Sequence, residues 1–325
     1  MKQGPLGTQS DRRNSGPAGH TPLSARLALQ LAAPHTWPAA IIPVLFAVAL
    51  AANAGRSIPV ALAAALLAIC ILMQATANTL NDYYDFKKGA DSLENQEDPT
   101  DAVLVYNRVD PASALRLAIG FLIAAALLGA YVVARTGWVP LAIGIIGAGV
   151  IVLYSAGKTP LSYLPLGEAV SGIAMGTLIP LACYYALTSH FVYYVVPCSL
   201  PLVIGIALIM FTNNTCDIEK DIEAGRRTLP VILGRERSRS AYHAVLIAWV
   251  VALTILAACF FTTGLLLVPF MLLILYPALR ALWDNPLTLE ARTPAMSLCL
   301  TANIGLGAFY VAIILFSTSA RLALF

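Results

Sequence analysis

Seven stretches of this chain contain no Asp, Glu, Lys or Arg: residues 27–55, 57–81, 117–134, 136–157, 169–216, 240–279 and 293–320. A helix needs about 20 apolar residues to cross a bilayer. Five of the stretches accommodate one crossing each. The stretches 169–216 and 240–279 are long enough for two, and each has turn residues in its middle, LTSHF at 187–191 and TTG at 262–264. The expected fold class is therefore an all-α integral membrane protein with about nine transmembrane helices. Composition agrees: 11% of the 325 residues are charged, against about 25% in ordinary soluble domains.

Nine crossings sort the connecting segments onto two sides. Seventeen of the 20 Lys and Arg residues fall on the side that holds the N-terminus, leaving Arg56, Arg135 and Arg321 on the other. The positive-inside rule makes the crowded side cytoplasmic. All the Asp and Glu residues lie there too. The domain reading is a disordered cytoplasmic tail over 1–26, one transmembrane domain over 27–320 and a short extracytoplasmic tail over 321–325. Residues 1–25 are rich in Gly, Pro and Ser and lack an apolar signal core. The six cysteines are scattered with no C-x-x-C, which favours packing over metal or redox roles. The expected partner surface is a lipid bilayer, and no nucleic-acid partner is expected.

The two large polar connections open alike. NDYYD at 81–85 and NNTCD at 213–217 each follow an even-numbered crossing. Asn and Asp stand at i and i+4 in both, hence on one helix face. The second continues to Asp221, again i+4, and the first to Asp91 through FKKGA. Carboxylates stacked on one face repel each other unless a cation lies between them. Hard oxygen ligands suit Mg²⁺, which is commonly shared between a few carboxylates and substrate phosphates. Lys87 and Lys88 follow the first cluster, Arg226 and Arg227 the second, and YSAGK at 154–158 adds Lys158 on the same side. Acids for a metal beside bases for phosphate oxygens make the composition of a diphosphate site. Glu94, Glu97, Asp98 and Asp101 read instead as ordinary solvated loop charges. Asp85 and Asp217 adjoin apolar crossings, where ionisable residues are functional candidates by default.

With these motifs the chain resembles the UbiA superfamily of intramembrane prenyltransferases. NDYYDFKKGAD is similar to that family's first Asp-rich motif and NNTCDIEKDIEAGRRTLPVILG to its second. The resemblance implies helices around a central cavity and Mg²⁺ held on a polyprenyl diphosphate by Asn81, Asp85, Asp91, Asn214, Asp217 and Asp221. It implies diphosphate contacts from Lys88, Arg108, Lys158 and Arg227, with Asp85, Asp217, Asp221 and Lys158 as the catalytic set. Tyr84, Tyr154 and Asn78 would line the acceptor and the allylic cation. The spacing from Asp85 to Asp91, the paired asparagines and YLPLGE at 163–168 resemble the branch that prenylates 1,4-dihydroxy-2-naphthoate for menaquinone. Two departures touch the acceptor. The segment after the first motif lacks an R-x-x-R-P-L run, and YSAGK carries a lysine of the 4-hydroxybenzoate-type enzymes. A 4-hydroxybenzoate or other ring acceptor is the alternative. A secondary transporter is the distant alternative, disfavoured because its binding residues belong near the bilayer midplane.

Overall fold

The computed structural model describes residues 20–89 and 102–317, and these form helices with no strand among them. In chain order they are α1 (Ala25–Ala32), α2 (Pro38–Asn53), α3 (Val60–Lys88), α4 (Val103–Asn107), α5 (Pro111–Thr136) and α6 (Val139–Ser155). Next come α7 (Gly167–Ile173), α8 (Ile179–Thr188), α9 (Val195–Cys198), α10 (Leu200–Cys216), α11 (Ile218–Glu223) and α12 (Leu229–Leu233). The last three are α13 (Arg235–Phe260), α14 (Val268–Asp284) and α15 (Arg292–Phe316).

Each charge-free stretch becomes helix where expected. Stretch 169–216 divides at Ser189, whose left-handed backbone (φ 58°) ends α8. Stretch 240–279 divides after Phe260. By length and hydropathy, six described helices suffice to cross a membrane, and seven do if α1 and α2, bent by 55°, make one crossing. Helices α6 and α10 occupy the other two expected positions. At 17 residues each they reach about 25 Å at 1.5 Å per residue, short of a hydrocarbon core of about 30 Å. Length and hydropathy alone thus establish six or seven crossings, with α6 and α10 in the two remaining positions.

The exterior is what lipid requires. Only 17% of the most apolar window of α5 is buried, and Leu127, Leu266 and Leu273 stand at least 70% exposed. Such a surface is stable only against hydrocarbon. Inside, α2, α10, α13 and α15 pack around Phe46, Trp249, Leu253 and Tyr310. The Phe46 and Tyr310 rings stack at 5.5 Å, and Tyr310 donates to the Cys198 carbonyl at 2.9 Å.

Helix α7 runs through a π segment, Ala174–Leu178, into α8. Pro180 offers no N–H to the preceding turn, which accounts for the widened ladder. Gly172 and Gly176 lie on the face against α10. A Cβ at Gly172 would sit 2.7 Å from the Val203 carbonyl oxygen, and one at Gly176 would sit 2.5 Å from the Val203 nitrogen. This small-xxx-small pair allows the backbones to touch. It also fixes the start of α7 relative to the end of α10, where the second acidic motif lies.

Of the tail expected over 1–26, residues 1–19 lie outside the described residues, as do 318–325 with the expected second tail. Residues 20–26 are engaged: Thr21 N–H donates to the Arg108 carbonyl at 2.9 Å, and the Ser24 hydroxyl caps α1.

Candidate active site

The described part of the first acidic motif, residues 81–88, is helical and not on a loop. Helix α3 continues seven residues past the charge-free stretch and ends at Gly89, whose left-handed backbone (φ 71°) closes the last turn. Helical spacing then separates the acids by face. Asp82 points back under the bundle, where its carboxylate accepts the Val103 N–H at 3.0 Å and the Leu104 N–H at 3.3 Å. It anchors α4. Asp85 faces the other way, and the Asn81 amide donates to it at 3.2 Å. One turn on, Lys88 donates to the Ser155 carbonyl at 2.8 Å, tying the end of α6 to the motif. Asn78 donates to the Ala32 carbonyl at 3.0 Å and the Thr36 hydroxyl at 2.8 Å, bracing the bend between α1 and α2. Asp91 and the acids Glu94, Glu97, Asp98 and Asp101 lie outside the described residues.

The second motif straddles a helix end. Asp217 closes α10 with a non-helical backbone (φ −97°, ψ 15°), and α11 starts after it. Arg292, the first residue of α15, donates to Asn213 Oδ1 at 2.7 Å and to Asp217 Oδ2 at 3.1 Å. Asn214 turns to the neighbouring face and donates to Glu168 Oε1 at 2.9 Å. Asp221 accepts the Thr228 hydroxyl at 3.0 Å. Gly225 (φ 70°) reverses the chain, so Arg226 N–H returns to the Asp221 carbonyl at 2.8 Å.

That reversal brings the two motifs together. The Arg226 guanidinium lies 3.2 Å from Asp85 and 3.6 Å from Asp221, joining carboxylates 136 positions apart. The Tyr163 ring lies beneath it, 4.7 Å from Arg226 and 4.8 Å from Lys88. Two cations against one aromatic ring hold positive charge beside the acids. Burial opposes the Arg226 charge, but Asp85 and Asp221 outweigh it, and its pKa rises above the usual arginine value. Burial pushes Asp221 up to about 6 despite Arg226 and the Thr228 hydroxyl. It raises Asp217 too, against the pull of Arg292.

Among the described residues, Asp217 Oδ1, Glu168 Oε2, Tyr154 OH and Arg226 Nε are buried without a hydrogen-bond partner. Each such atom lacks a compensating partner within the protein. An unsatisfied carboxylate oxygen on Asp217, with the Asp221 carboxylate within electrostatic reach and Asp85 joined to Asp221 through Arg226, fits a hard divalent cation. No three Asp, Glu, His or Cys side chains among the described residues form a ready metal cluster. Mg²⁺ does not require one, since it takes one or two carboxylates plus phosphate oxygens and water.

The remaining expected residues divide. Tyr84 packs edge-on to Tyr83 at 5.1 Å, with Lys88 Nζ 5.7 Å from its own ring. The side chains of Lys158, Arg108 and Arg227 are exposed. Arg227 contributes its backbone N–H, which donates to the Tyr163 carbonyl at 2.8 Å. In the RR pair, it is therefore Arg226 that reaches the acids. Sequence reasoning also passed over Glu168 and Arg292. Each borders a charge-free stretch on the acidic side, which is the signal that marked Asp85 and Asp217.

Fold and site define a polytopic membrane protein whose helices gather two acidic motifs, an arginine bridge and a cation-bearing tyrosine at one end. The profile of the UbiA prenyltransferase family matches residues 40–304, and the chain belongs to that family of prenyltransferases. It is 34% identical over 232 residues to the 1,4-dihydroxy-2-naphthoate octaprenyltransferase of Bacillus subtilis, covering 70% of this chain and 74% of that one. It is 26% identical over 229 residues to the human UbiA prenyltransferase domain-containing protein 1, covering 69% of this chain and 66% of the relative. In structure it is similar to a UbiA homologue from Aeropyrum pernix (TM-score 0.64, 16% identity, 83% and 96% of the two chains). It is also similar to one from Archaeoglobus fulgidus bound to GPP and Mg²⁺ (TM-score 0.58, 18% identity, 88% and 99%).

Proposed function

We propose that this chain transfers a polyprenyl group from a polyprenyl diphosphate to 1,4-dihydroxy-2-naphthoate in a Mg²⁺-dependent reaction, giving a demethylmenaquinone-type product in its quinol form. The observation that carries the reaction type is the Arg226 bridge, which sets Asp85 and Asp221 around one point with Lys88 alongside. The naphthoate acceptor is supported by the 34% identity to the Bacillus subtilis relative of that name.

In this reading Asp85, Asp217 and Asp221 would hold Mg²⁺, joined by Asp91. Asn81 steadies Asp85, and Asn214 is braced on Glu168. Bound Mg²⁺ supplies charge neutralisation for the departing diphosphate. Lys88 and Arg226 take up phosphate oxygens, with Arg108, Lys158 and Arg227 at the exposed rim. Stabilisation that grows as the carbon–oxygen bond breaks lowers the barrier, whereas equal binding of the ground state does not. The electron pair of that bond leaves with diphosphate, and the allylic carbon becomes cationic. Tyr84 and Tyr154 offer aromatic faces to it, and the apolar bundle excludes the water that would quench it. The acceptor ring then attacks through its carboxylate-bearing carbon, and the carboxylate leaves as CO₂, its bond pair restoring the aromatic ring. The prenyl tail lies against the lipid-facing helices. The chain is a multi-pass membrane protein, and we place the site and the N-terminus at the cytoplasmic face of the cell membrane, on the strength of the Lys and Arg bias.

The test is a product assay on the purified chain in lipid. A polyprenyl diphosphate is supplied with 1,4-dihydroxy-2-naphthoate or 4-hydroxybenzoate, with Mg²⁺ or a chelator, and products are read by mass. A Mg²⁺-dependent prenylated naphthoquinol is expected. Prenylated hydroxybenzoate alone would overturn the acceptor and keep the reaction type.

A further inference from the structure

The reaction needs a place that recognises the acceptor, and one buried acid is not used by the diphosphate cluster. Glu168 is 5% exposed. Its Oε1 is committed to the Asn214 amide at 2.9 Å, while Oε2 is buried without a partner. The Tyr154 hydroxyl is likewise buried and unpartnered. The two groups adjoin: a Cβ on Gly167, the residue before Glu168, would sit 3.5 Å from Tyr154 OH. The same hydroxyl lies within electrostatic reach of Glu168, Arg226, Asp85 and Asp221. The two unpartnered atoms thus border the diphosphate cluster. Glu168 cannot swing away to satisfy itself, because Asn214 holds one oxygen and Gly172 and Gly176 lock α7 against α10.

We propose that Glu168 reads a ring hydroxyl of the aromatic acceptor, its free carboxylate oxygen accepting the hydrogen bond while Tyr154 makes the adjoining contact. This rests on the prenyl-transfer reading and adds a specificity residue to it. The choice of ligand group follows from hydrogen-bond inventory. A hydroxyl donates to Glu168 and accepts from Tyr154, satisfying both atoms at once. A phosphate oxygen would face the carboxylate with like charge. A metal ion would satisfy Glu168 and leave the tyrosine proton without an acceptor.

The test is a ligand-side mutant cycle on the full chain in lipid with E168Q. Glutamine keeps a carbonyl oxygen for Asn214 and removes the charged acceptor. Inhibition constants are measured against 1,4-dihydroxy-2-naphthoate for 1-hydroxy-2-naphthoate and 4-hydroxy-2-naphthoate, each lacking one hydroxyl. In the wild type, loss of the hydroxyl that meets Glu168 weakens binding about tenfold to a hundredfold, the range for a hydrogen bond to a charged group. In E168Q that penalty shrinks to about twofold, the acceptor KM rises, and the diphosphate KM and Mg²⁺ requirement hold. Y154F lowers the same penalty by a smaller factor. A penalty unchanged in E168Q overturns the inference, as does an altered Mg²⁺ requirement with the penalty intact. Absence of any wild-type product sinks the functional reading and this inference with it, and is seen before the variant is tested. Wild-type turnover with an unchanged penalty sinks this inference alone.

Discussion

Asn81 and Asp85 face each other across one turn of an unbroken helix, and their main outside partner is Arg226, on a reversal of the chain. Asn213 and Asp217 have the same spacing but sit at a helix end, where Arg292 grips both from the start of α15. The Asn81 side is exposed, whereas Asp217 is 6% exposed. The same four-residue step thus yields one adjustable motif and one clamped motif. Spacing sets which side chains share a face. The neighbours across the bundle set how firmly they are held. A site that must take up a large charged substrate and release a product has use for one fixed wall and one that adapts.

The largest effect should come from removing the carboxylates that both motifs bring to the site. Asp85→Asn and Asp217→Asn are each expected to lower kcat by about a hundredfold or more with the chain still folded and inserted. Full activity in both would break the metal-site assignment. The clamp comes next. Arg292→Ala leaves Asp217 buried without its counter-charge, and loss of one partner of a buried pair costs about 3–5 kcal/mol. Thermal unfolding in detergent should show a lower Tm than for Asn81→Ala, which acts on the exposed side of the first motif. Equal shifts would erase the contrast between the motifs. Arg292→Lys should not rescue, because one ammonium cannot reproduce a fork that spans Asn213 and Asp217.

A titration sharpens the comparison further. Asp221 is protonated in the metal-free chain below a pKa of about 6, so Mg²⁺ must displace a proton there. Mg²⁺ affinity should climb as pH rises towards about 6, by up to about tenfold per unit, and level off above it. Asp221→Asn should flatten that rise, and a slope unchanged in the variant would remove Asp221 from the metal set. The smallest effects separate the two asparagines. Asn214→Ala strands Glu168 Oε1 as well as Oε2 and should cost about 1–3 kcal/mol. Asn81→Ala removes an exposed contact and should cost about 0.5 kcal/mol or less. Chemical unfolding of the pair measures the difference.

Much of the architecture was legible because lipid imposes a simple rule. Charge interrupts a crossing, so the gaps between charges predict the helices, and α3, α5, α13 and α15 follow them. The two turns inside the long stretches also fell where small polar residues allow them. Crossing number was less legible, because α6 and α10 are apolar enough but only 17 residues long. Within the site, the i, i+4 steps correctly paired Asn81 with Asp85 and Asn213 with Asp217. They singled out Asp85, which meets Arg226, and left Asp82 without the role it has in holding α4. They also could not choose between adjacent Arg226 and Arg227, since that choice turns on the Gly225 reversal.

The sequence by itself determined that this is a membrane bundle with its charge on one side and two acidic motifs of matching step. Those properties follow from hydropathy and helical periodicity, which are local along the chain. Only the tertiary structure decided that Arg226 closes the gap between the motifs, that Arg292 clamps the second, and that Glu168 is left with a free oxygen. These depend on contacts between residues tens to more than a hundred positions apart. The Glu168–Asn214 contact forms where Gly172 and Gly176 allow α7 to touch α10, a closeness that no single segment encodes.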